Sequence, residues 1–521
     1  MCGIAGAWLG RIAGDGDDEQ IGKMIDQVLH RGPDGVSVMH SGHAVLASAR
    51  LAIVDVIGGQ QPFTNETGDI HVVYNGEIYN HRTLRDEIQQ RGHRLRSACD
   101  GEVISHLYEE FGIDCLGKLD GQFAIAIADD RNEALYLARD RMGICPLHWV
   151  QTPEGLYFCS EIKGLRAVGV VPGQVEPRAI LQLAYFGAVC APLTAFAGVQ
   201  QMRPAHYLAV RNGAAPQLRR YWTLDFPLQG EYAAMGEKQA AEGLRRRLEA
   251  AVSSHMQGEF HAACCLSGGI DSAIIAALLA RHCGREEHVV GFCASSDSKK
   301  MDEGDAAAET AVRLGIELRR VAITEANIAE AFKRLIWHAE VPVISTEAAA
   351  LLLLSEHIRN YSKIVLTGEG ADEAFGGYLA FRQFKVLGGL SNPGLEFIRR
   401  FIRPMLQHHY GSECLLPSES RLDAVRETFG CFPAQAYEWE FYRAAITPVL
   451  SPIYRELGAG EAQWEGFAFE REAIAGRHWL NRALYVGYQV MLPNYLLGAH
   501  GDRVFAANSL EGRYPFLDRE V

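Results

Sequence analysis

The second residue of the chain is a cysteine, within the opening MCGIAG. If Met1 is removed, which the small side chain of Cys2 permits, one residue carries both a thiol and a free α-amine. The amine titrates at about pH 8 and can take the thiol proton, so that the thiolate attacks a carbonyl. A terminal cysteine can also be incidental, and a retained Met1 would lock the amine in a peptide bond. Cys2 is therefore a candidate acyl-transfer nucleophile whose use depends on its surroundings.

A second candidate site follows the apolar run His261–Leu266. The loop after this run consists of Ser267, Gly268, Gly269, Ile270, Asp271 and Ser272, and an Ala/Ile/Leu-rich helix follows it. A strand, a glycine loop and a helix start make an anion site, because backbone N–H groups face the ligand. The serines add hydroxyl donors, and Asp271 can hold Mg²⁺ against a polyphosphate. A bare Ser-Gly-Gly would indicate only a helix cap, and neither GxxxxGK[ST] nor GxGxxG stands here.

A third motif, GEGADE, follows the predicted strand Lys363–Thr367. Carboxylates in a phosphate pocket repel the substrate unless a cation lies between them. We therefore expect Asp372 and Asp271 to bind Mg²⁺ together. The alternative is a solvated acidic loop, which its position after a buried strand disfavours.

Composition narrows the class of protein. The chain has 521 residues, of which 48% are hydrophobic and 22% are charged, as in ordinary globular domains. Fifty basic and 64 acidic residues give a net charge of −14, which disfavours binding to nucleic acid or to anionic membranes. No apolar run approaches about 18 residues, and no secretory signal is visible, so we expect a cytoplasmic protein. Twelve cysteines without a C-x-x-C pair predict neither a zinc site nor a disulfide framework.

The elements that must position these residues follow two patterns. Up to about residue 210, short β-rich runs alternate with turns and a few helical patches, which predicts an α+β layered domain. The predicted strands are Ala44–Ala47, Ile70–Tyr74, Phe123–Asp129, Ala134–Ala138 and Leu156–Cys159, and the predicted helices are Gln20–Leu29, Leu84–Arg91 and Glu102–Phe111.

From about residue 240 the pattern is βαβ, which predicts an open parallel sheet whose ligands bind at the strand ends. The predicted strands are His261–Leu266, His288–Cys293, Glu317–Ile323 and Lys363–Thr367, with helices to His282 and over Ala306–Leu314, and the rest is predicted to be mainly helical. We predict domains at 1–210 and 240–521, joined by a linker at 211–239 that is rich in glycine, proline and polar residues.

The N-terminal half resembles the class II glutamine amidotransferases, glutaminase domains of the N-terminal-nucleophile fold. The motifs that carry the resemblance are MCGIAG, RGPDG (31–35), ARLAIVD (49–55), GGQQP (58–62), YNGEIYN (74–80), CDGEV (99–103), LDGQFAIAI (119–127) and ARDRMGICPL (138–147). The resemblance implies an αββα sandwich with Cys2 as nucleophile.

The same resemblance implies roles for four further sites. Asn75, through its side chain, and Gly76, through its N–H, would form the oxyanion hole. Arg50 would bind the α-carboxylate of glutamine, and Glu77 with Asp100 its α-ammonium. Taken singly, Asn75-Gly76 is also a good type I′ hairpin turn, Arg50 an ordinary surface charge, and Asp100 the start of another turn.

The C-terminal half resembles the PP-loop ATP pyrophosphatases through SGGIDS, and their asparagine synthetase-like branch through GEGADE. Such enzymes cleave ATP between the α and β phosphates to adenylate an acceptor. The resemblance places Glu369 near the acyl-adenylate. It places these residues around ATP: Leu266, Ser267, Gly268, Gly269, Asp271, Ser272, Val290, Thr367 and Gly368. In the segment 494–518, which resembles the part of the family that packs beside this site, Arg503 and Arg513 either bind phosphate or carboxylate or form structural ion pairs.

The chain departs from the family pattern in three places. The family continues past PFLD to a lysine-containing motif, whereas this sequence ends at Val521, and we expect a C-terminally incomplete synthetase domain. Arg203-Pro-Ala-His-Tyr207 replaces the common Pro-Gly-His, and the usual basic residue before Asp502-Arg503 is absent. The last difference leaves the acceptor open.

The resemblance as a whole implies a glutamine-hydrolysing asparagine synthetase-like carbon–nitrogen ligase with two coupled sites. Cys2 would release ammonia from glutamine, and ammonia would move internally to a carboxylate activated as acyl-AMP, giving an amide, AMP and pyrophosphate. Aspartate is the first choice of acceptor, and a specialised-metabolite, peptide or carrier-bound carboxylate is the alternative. A noncatalytic nucleotide-binding or regulatory relative is a third hypothesis. The expected partners are glutamine, ATP with Mg²⁺ and the acceptor, without nucleic acid or membrane, and a homodimer is left open.

Overall fold

The computed structural model describes residues 1–284, 288–296, 302–343, 345–382, 385, 429, 433–436, 439, 443, 446–459 and 469–521. Its first half contains two six-stranded sheets in which all pairs of neighbouring strands are antiparallel. The strands are β1 (Gly3–Leu9), β2 (Gly35–Ser41), β3 (Ala44–Arg50), β4 (Phe63–Thr64), β5 (Ile70–Ile78), β6 (Gly121–Asp129), β7 (Ala134–Arg139), β8 (His148–Gln151), β9 (Gly155–Cys159), β10 (Gln200–Gln201), β11 (His206–Arg211) and β12 (Gln217–Arg220). The sheet orders are β10-β8-β9-β1-β3-β2 and β12-β11-β7-β6-β5-β4.

The two sheets pack face to face, with helices on their outer sides. Strand β6 illustrates why: its larger residues Phe123, Ile125 and Ile127 join the core under the helices, while its alanines face the other sheet. Small side chains on the inner face let the sheets approach, and burial on both faces explains the continuous apolar sequence. The helices of this half are α1 (Asp15–Asp26), α2 (His81–Gln90), α3 (Val103–Phe111), α4 (Ile162–Ala167) and α5 (Pro177–Phe186). The predicted αββα sandwich is confirmed.

The second half contains a five-stranded sheet in which all pairs are parallel, in the order β15-β14-β13-β16-β17. The strands are β13 (Ala263–Cys265), β14 (Val290–Ser296), β15 (Glu317–Ile323), β16 (Ile364–Leu366) and β17 (Glu511–Arg513). The helices are α6 (Glu237–His255), α7 (Ile270–Cys283), α8 (Gly304–Leu314), α9 (Glu325–Ala339), α10 (Glu347–Arg359), α11 (Ala371–Phe375), α12 (Pro452–Ala459), α13 (Trp479–Met491), a π-helix (Leu492–Asp502) and α14 (Arg503–Ala506). Cores lie on both faces of the sheet, so the predicted α/β domain is confirmed.

The predicted elements differ from the structure mainly at their ends. The predicted helix Gln20–Leu29 begins earlier, at Asp15, and ends at Asp26. Strand β12 lies inside the segment 211–239 and extends the second sheet, and the domain boundaries stay a prediction. The stretch after the π-helix contributes strand β17, which the expectation of a mainly helical C-terminal part missed.

Buried charges join the two halves. Arg31 is fully buried and donates to Glu161 Oε1 at 2.8 Å and to both carboxylate oxygens of Asp502 at 2.8 and 2.9 Å. Arg503 lies 3.4 Å from Glu161 and 3.0 Å from Glu340. Burial lowers the pKa of Arg31, but the carboxylates of Asp502 and Glu161 outweigh it and hold the pKa above its ordinary value. Because the Arg31–Asp502 and Arg503–Glu161 pairs cross from the first half to the second, they fix how the halves meet.

None of the helices in the described part of the chain is long and apolar enough to cross a membrane.

Replacing Arg31 with Met should lower the free energy of unfolding by about 3–5 kcal/mol, because removal of one partner leaves buried carboxylates uncompensated. The measurement is the shift of the unfolding midpoint in urea. Arg313→Met is the matched control, since Arg313 is 75% exposed and pairs with Glu309 one helical turn away; its loss should cost less than about 0.5 kcal/mol. Equal effects of the two changes would contradict a stabilising role for the Arg31 contacts.

Candidate active sites

Cys2 lies just before β1 and is only 6% exposed. The backbone N–H of Leu51 donates to its Sγ at 3.4 Å, and the Gln61 side-chain amide lies 3.9 Å from the same sulfur. Burial raises the pKa of the Cys2 thiol, while the N-terminal ammonium and the Leu51 N–H lower it. The predicted nucleophile is thus held in a closed site with two donors near its sulfur.

Arg50 ends β3 and is 4% exposed. Its guanidinium donates to the carbonyl oxygens of Val54, Asp55 and Val56 at 3.2, 2.5 and 3.0 Å. A Cβ at Gly59 would lie 2.5 Å from Arg50 Nη2 and 2.9 Å from Cys99 Sγ, so a larger residue there would displace the guanidinium from its present position. In the part of the chain that the structure describes, no carboxylate pairs with Arg50. A buried cation held by carbonyls alone suits the carboxylate of a substrate.

Asn75 and Gly76 lie inside strand β5, so the alternative of a hairpin turn is wrong. Both residues pair with strand β6, so strand β5 continues through them without a turn. Asn75 is fully buried, and neither side-chain atom, Oδ1 nor Nδ2, has a hydrogen-bond partner among the described residues. Gly76 has φ of 144°, and a Cβ there would lie 1.9 Å from the Gln122 carbonyl oxygen. Unpaired buried amide groups are costly, which indicates that a ligand completes them.

Glu77 and Asp100 are both buried but are held differently. Glu77 accepts a hydrogen bond from Arg513 at 2.9 Å through Oε2, while Oε1 has no partner among the described residues. Burial raises the pKa of Glu77 well above its usual range, and Arg513 opposes that shift. Asp100 accepts from the Tyr74 hydroxyl at 2.5 Å and from the Ile78 N–H at 2.8 Å. Both carboxylates are thus fixed by the fold at the site of the predicted glutamine contacts.

Three further residues contribute to this site: Gln61 and Glu511, which carried no predicted role, and Arg513, for which two interpretations were left open. Gln61 exchanges two hydrogen bonds with the backbone of Tyr74, at 2.7 and 2.9 Å, and so ties the Cys2 surroundings to strand β5. Arg513 and Glu511 lie on strand β17, and Glu511 pairs with the Met1 ammonium at 2.9 Å. The GGQQP motif already contained Gln61, whereas nothing in the sequence indicated that β17 reaches the N-terminus.

The synthetase half brings its two glycine-containing loops to one edge of the parallel sheet. Strands β13 and β16 are neighbours, with Cys264 opposite Leu366, so the loops that follow them start side by side. A Cβ at Gly368 would lie 2.9 Å from the backbone nitrogen of Ser272 and 3.0 Å from Asp271. The two motifs therefore form a single site, where ligands of such sheets bind.

The first loop is organised by its serines. Ser272 Oγ accepts from the Ser267 N–H at 3.0 Å and lies 2.9 Å from Ser267 Oγ, which accepts from the Gly269 N–H at 3.1 Å. The Gly268 N–H donates to Glu303 Oε2 at 3.1 Å. A carboxylate thus rests on the start of α7, where backbone donors favour an anion. Glu303 was not predicted at this site, and its place on the loop is evident only in three dimensions.

Four carboxyl groups crowd the second loop. Burial, with repulsion from Glu373, Asp372 and other acids, raises the pKa of Glu369 to about 8. Burial also raises the pKa of Asp271, and burial together with Asp271 raises that of Asp372. Mg²⁺ takes oxygen ligands, and a divalent cation would relieve this repulsion, so the donor set fits that ion.

A cavity of about 290 Å³ joins the two loops. Nine of the predicted residues line it: Leu266, Ser267, Gly269, Asp271, Ser272, Thr367, Gly368, Glu369 and Asp372. Gly268 and Val290 do not; Val290 is fully buried in the core of the sheet. Arg503 and Arg513 are also engaged elsewhere, in the ion pairs with Glu340 and Glu77, which favours the structural interpretation of both.

Comparison with known proteins matches both halves. The glutamine amidotransferase domain family matches residues 1–222, and the asparagine synthase family matches residues 243–521, more than half of the chain. The chain belongs to the asparagine synthase family. The predicted combination of a glutamine amidotransferase domain with a glutamine-hydrolysing asparagine synthetase-like ligase domain is confirmed.

Individual relatives within the asparagine synthase family are distant. Asparagine synthetase [glutamine-hydrolyzing] 1 of Bacillus subtilis is 29% identical, over 100% of this chain and 80% of its own length. Amidase chyE of Penicillium rubens is also 29% identical, over 96% of this chain and 77% of its own length. Amidase chry2 of Gibberella zeae is 28% identical, with the same shares. Relatives with two kinds of name lie at equal distance, so similarity alone does not choose the acceptor.

The crowded carboxyls predict a pH dependence of stability. With a pKa of about 8 in the folded protein and about 4.3 in the unfolded chain, Glu369 holds a proton at pH 5–8 that the unfolded chain has released. Its contribution to stability is therefore largest below about pH 4 and falls as pH rises, by about 1.4 kcal/mol per pH unit.

The free energy of unfolding is measured in urea at several pH values between 5 and 8, without nucleotide and Mg²⁺. Glu369→Gln should remove the part of its decline with rising pH that the Glu369 carboxyl causes. Glu309→Gln, a change at an exposed residue of α8, is the control and should keep the decline of the unmodified protein. Parallel profiles for the Glu369→Gln variant and the unmodified protein would contradict the assignment.

Proposed function

We propose that this protein hydrolyses glutamine at Cys2 and uses the ammonia, with ATP, to convert a carboxylate into an amide. The observation that carries the proposal is the pair of complementary pockets. One holds a buried thiol, which Gln61 links to strand β5 and its unpaired Asn75 amide, and the other is a glycine loop facing crowded carboxyls across a cavity of about 290 Å³. The proposed substrates would supply hydrogen-bond partners in the first pocket, and ATP with Mg²⁺ would supply phosphates and a cation in the second.

In the first pocket, the Cys2 thiolate attacks the side-chain amide carbon of glutamine. The carbonyl oxygen becomes an oxyanion, which the Asn75 Nδ2–H and the Gly76 N–H stabilise. The C–N bond then breaks, ammonia leaves with the proton taken from the thiol, and water hydrolyses the thioester to glutamate. This mechanism needs Met1 removed, so that the α-amine of Cys2 is free to accept the thiol proton.

Glutamine is positioned by charge. The buried Arg50 guanidinium binds its α-carboxylate, and Asp100 with the free Oε1 of Glu77 binds its α-ammonium. Arg513 holds the other oxygen of Glu77 at 2.9 Å, which orients this buried carboxyl and opposes the rise of its pKa that burial causes.

In the second pocket, the loop at 267–272 binds the phosphates of ATP, and the ends of β13 and β16 flank its adenosine. Mg²⁺, held by Asp271 and Asp372, would neutralise charge on the polyphosphate. Glu369 faces the activated carboxylate, and a carboxyl whose pKa lies near neutral pH can take a proton from the attacking nitrogen. The products are an amide, AMP and pyrophosphate.

An apolar route supports transfer of ammonia between the pockets. Met1 packs in one core cluster with Val290, Phe292 and Phe505, and the last two of these line the ATP cavity. The residue next to Cys2 therefore belongs to the same apolar cluster as the wall of the second pocket, and excision of Met1 would leave room in that cluster. An apolar path favours neutral ammonia over the ammonium that predominates in water.

Aspartate is the first candidate acceptor, because asparagine synthetases are among the relatives. A larger, less polar carboxylate is the second. The cavity is lined by Leu351, Leu354 and Leu496, and among its described lining residues none is Lys or Arg. A free amino acid needs a cation for its α-carboxylate, and the amidases among the relatives fit the same alternative.

We also propose that the chain consists of domains at 1–210 and 240–521 joined by a linker at 211–239. We propose that the protein is cytoplasmic and that its partners are small molecules, without nucleic acid or membrane. Assembly into a homodimer is left open.

The test of the proposed function is mass-spectrometric product analysis with glutamine, ATP and Mg²⁺, with and without aspartate. We expect glutamate and AMP in matching amounts, and asparagine if aspartate is the acceptor. Cys2→Ala should abolish glutamine use but retain AMP and amide formation from added ammonium chloride, because the second pocket contains none of the glutaminase residues.

Two outcomes would contradict the proposal. Loss of the ammonium-dependent reaction in a folded Cys2→Ala variant would show that the sites do not work separately. Glutamate formation that survives Cys2→Ala would remove Cys2 as nucleophile. AMP formation only with a larger carboxylate would support the second acceptor and leave the mechanism unchanged.

A further inference from the structure

Two histidines and two carboxylates converge on the outer side of the glutaminase half, away from both pockets. Glu66 follows β4, His93 lies in the loop after α2, and His106 and Glu109 stand three residues apart on one face of α3. One ligand atom from each of the four lies within 4.8 Å of the others. His106 is 1% and His93 11% exposed, whereas Glu66 is 34% exposed and leaves an opening to solvent.

The distances within this His93–His106–Glu66–Glu109 cluster match a coordination shell. His106 Nδ1 lies 3.0 Å from Glu66 Oε2 and 3.3 Å from His93 Nδ1, and His93 Nδ1 lies 3.3 Å from both Glu66 oxygens. Zinc–nitrogen bonds of about 2.0–2.1 Å in a tetrahedron place neighbouring ligand atoms about 3.4 Å apart. Three of the four ligands are therefore already at the required separations.

The opposite nitrogen of each ring faces a further carboxylate. His93 Nε2 lies 3.2 Å from Glu110 Oε1, and His106 Nε2 lies 3.9 Å from Glu102 Oε1. At His93, the carboxylate at Nε2 favours the tautomer with its proton there, which turns the Nδ1 lone pair inward, whereas His106 Nε2 has no hydrogen-bond partner among the described residues. With His106 in the same tautomer, two lone pairs and a carboxylate would meet within 3.3 Å. A cation at the centre would relieve the repulsion between them.

We propose that Glu66, His93, His106 and Glu109 form a zinc site. Two neutral imidazoles and two carboxylates carry a charge that balances Zn²⁺, and nitrogen with carboxylate oxygen is a ligand set that this ion accepts. The sequence-based expectation of no zinc site considered cysteine pairs with matching histidine spacing, so it did not cover a site of histidines and carboxylates without cysteine.

The site would act as a clamp. It joins the turn after β4, the loop after α2 and helix α3, above the buried core that these elements share. Glu102, which faces His106, also accepts from the N–H groups of Arg96 and Ser97 at 2.5 and 2.7 Å. The chain from Ser97 to Glu102 includes Asp100, so the clamp would hold the segment that carries a proposed glutamine contact.

The test uses untagged full-length protein with Cys2→Ala, so that the thiol cannot bind zinc, freed of metal with EDTA. Zn²⁺ alone is then titrated by calorimetry, and bound zinc is measured after gel filtration. We expect one zinc ion per chain. His93→Ala should lose the site, and Glu110→Gln, which alters only the orienting carboxylate, should weaken binding by about 10- to 100-fold. Zn²⁺ should raise the melting temperature of the parent but not of the His93→Ala variant.

His40→Ala is the matched control, because His40 also lies near carboxylates, Asp15 and Asp18, on the same half. It should bind zinc like the parent. Circular dichroism checks folding, and Glu66→Gln replaces His93→Ala if the latter does not fold. The proposal is overturned if the parent binds no zinc, which would mean that a proton shared between the histidines and carboxylates takes the place of the metal. It is also overturned if the His93→Ala variant binds as much zinc as the parent.

Discussion

Buried ion pairs between the two halves are the constraint on which the rest of the structure depends. Arg31 reaches Asp502, and Arg513 reaches Glu77, in both cases from one half to the other and with almost no exposure to solvent. A buried guanidinium without its carboxylate would cost several kcal/mol, so the halves cannot separate or rotate without leaving charges unpaired. The relative orientation of the two pockets follows from this. Strand β17 is the clearest case, because it completes the parallel sheet and also supplies Arg513 to the glutaminase pocket.

Each pocket contains buried polar or charged groups that are unpaired or repel one another, and the proposed substrate would relieve this cost. Asn75 is buried with both amide atoms unpaired, and Arg50 is a buried cation bound only by carbonyls in the described structure. In the other half, acidic side chains raise one another's pKa values around a glycine loop. Groups held in this way are stabilised by the surrounding fold and react without reorganisation when substrate arrives. The proposed zinc clamp differs, since its role would be to stabilise the fold and not to bind a substrate.

Much of this arrangement could be predicted from the sequence because its signals are local. A strand followed by SGGIDS specifies a loop at the end of a parallel strand, and the alternation in β6 specifies two buried faces. The hairpin alternative for Asn75-Gly76 failed because Asn-Gly is a local turn signal, whereas pairing with β6 over nine residue pairs continues the strand. The contacts of Arg513 with Glu77 and of Glu303 with Gly268 could not be predicted, since each joins residues that are separated in the chain and meet only in the folded structure. The His93–His106 contact spans only 13 positions, but it depends on how the loop after α2 lies against α3. The same holds for Val290, whose hydrophobic type fits a core and a nucleotide pocket equally well.

The central claim is that ammonia from glutamine reaches the second pocket inside the protein. The most direct test supplies glutamine labelled with ¹⁵N in its amide, together with ATP, Mg²⁺, the acceptor that product analysis identifies, and an excess of unlabelled ammonium chloride. The fraction of the amide product that carries ¹⁵N is then measured by mass spectrometry. Internal transfer predicts that most of the product carries ¹⁵N despite the excess of unlabelled ammonium in solution. A product labelled only in proportion to the free pool would show that ammonia equilibrates with solvent, and would contradict the account.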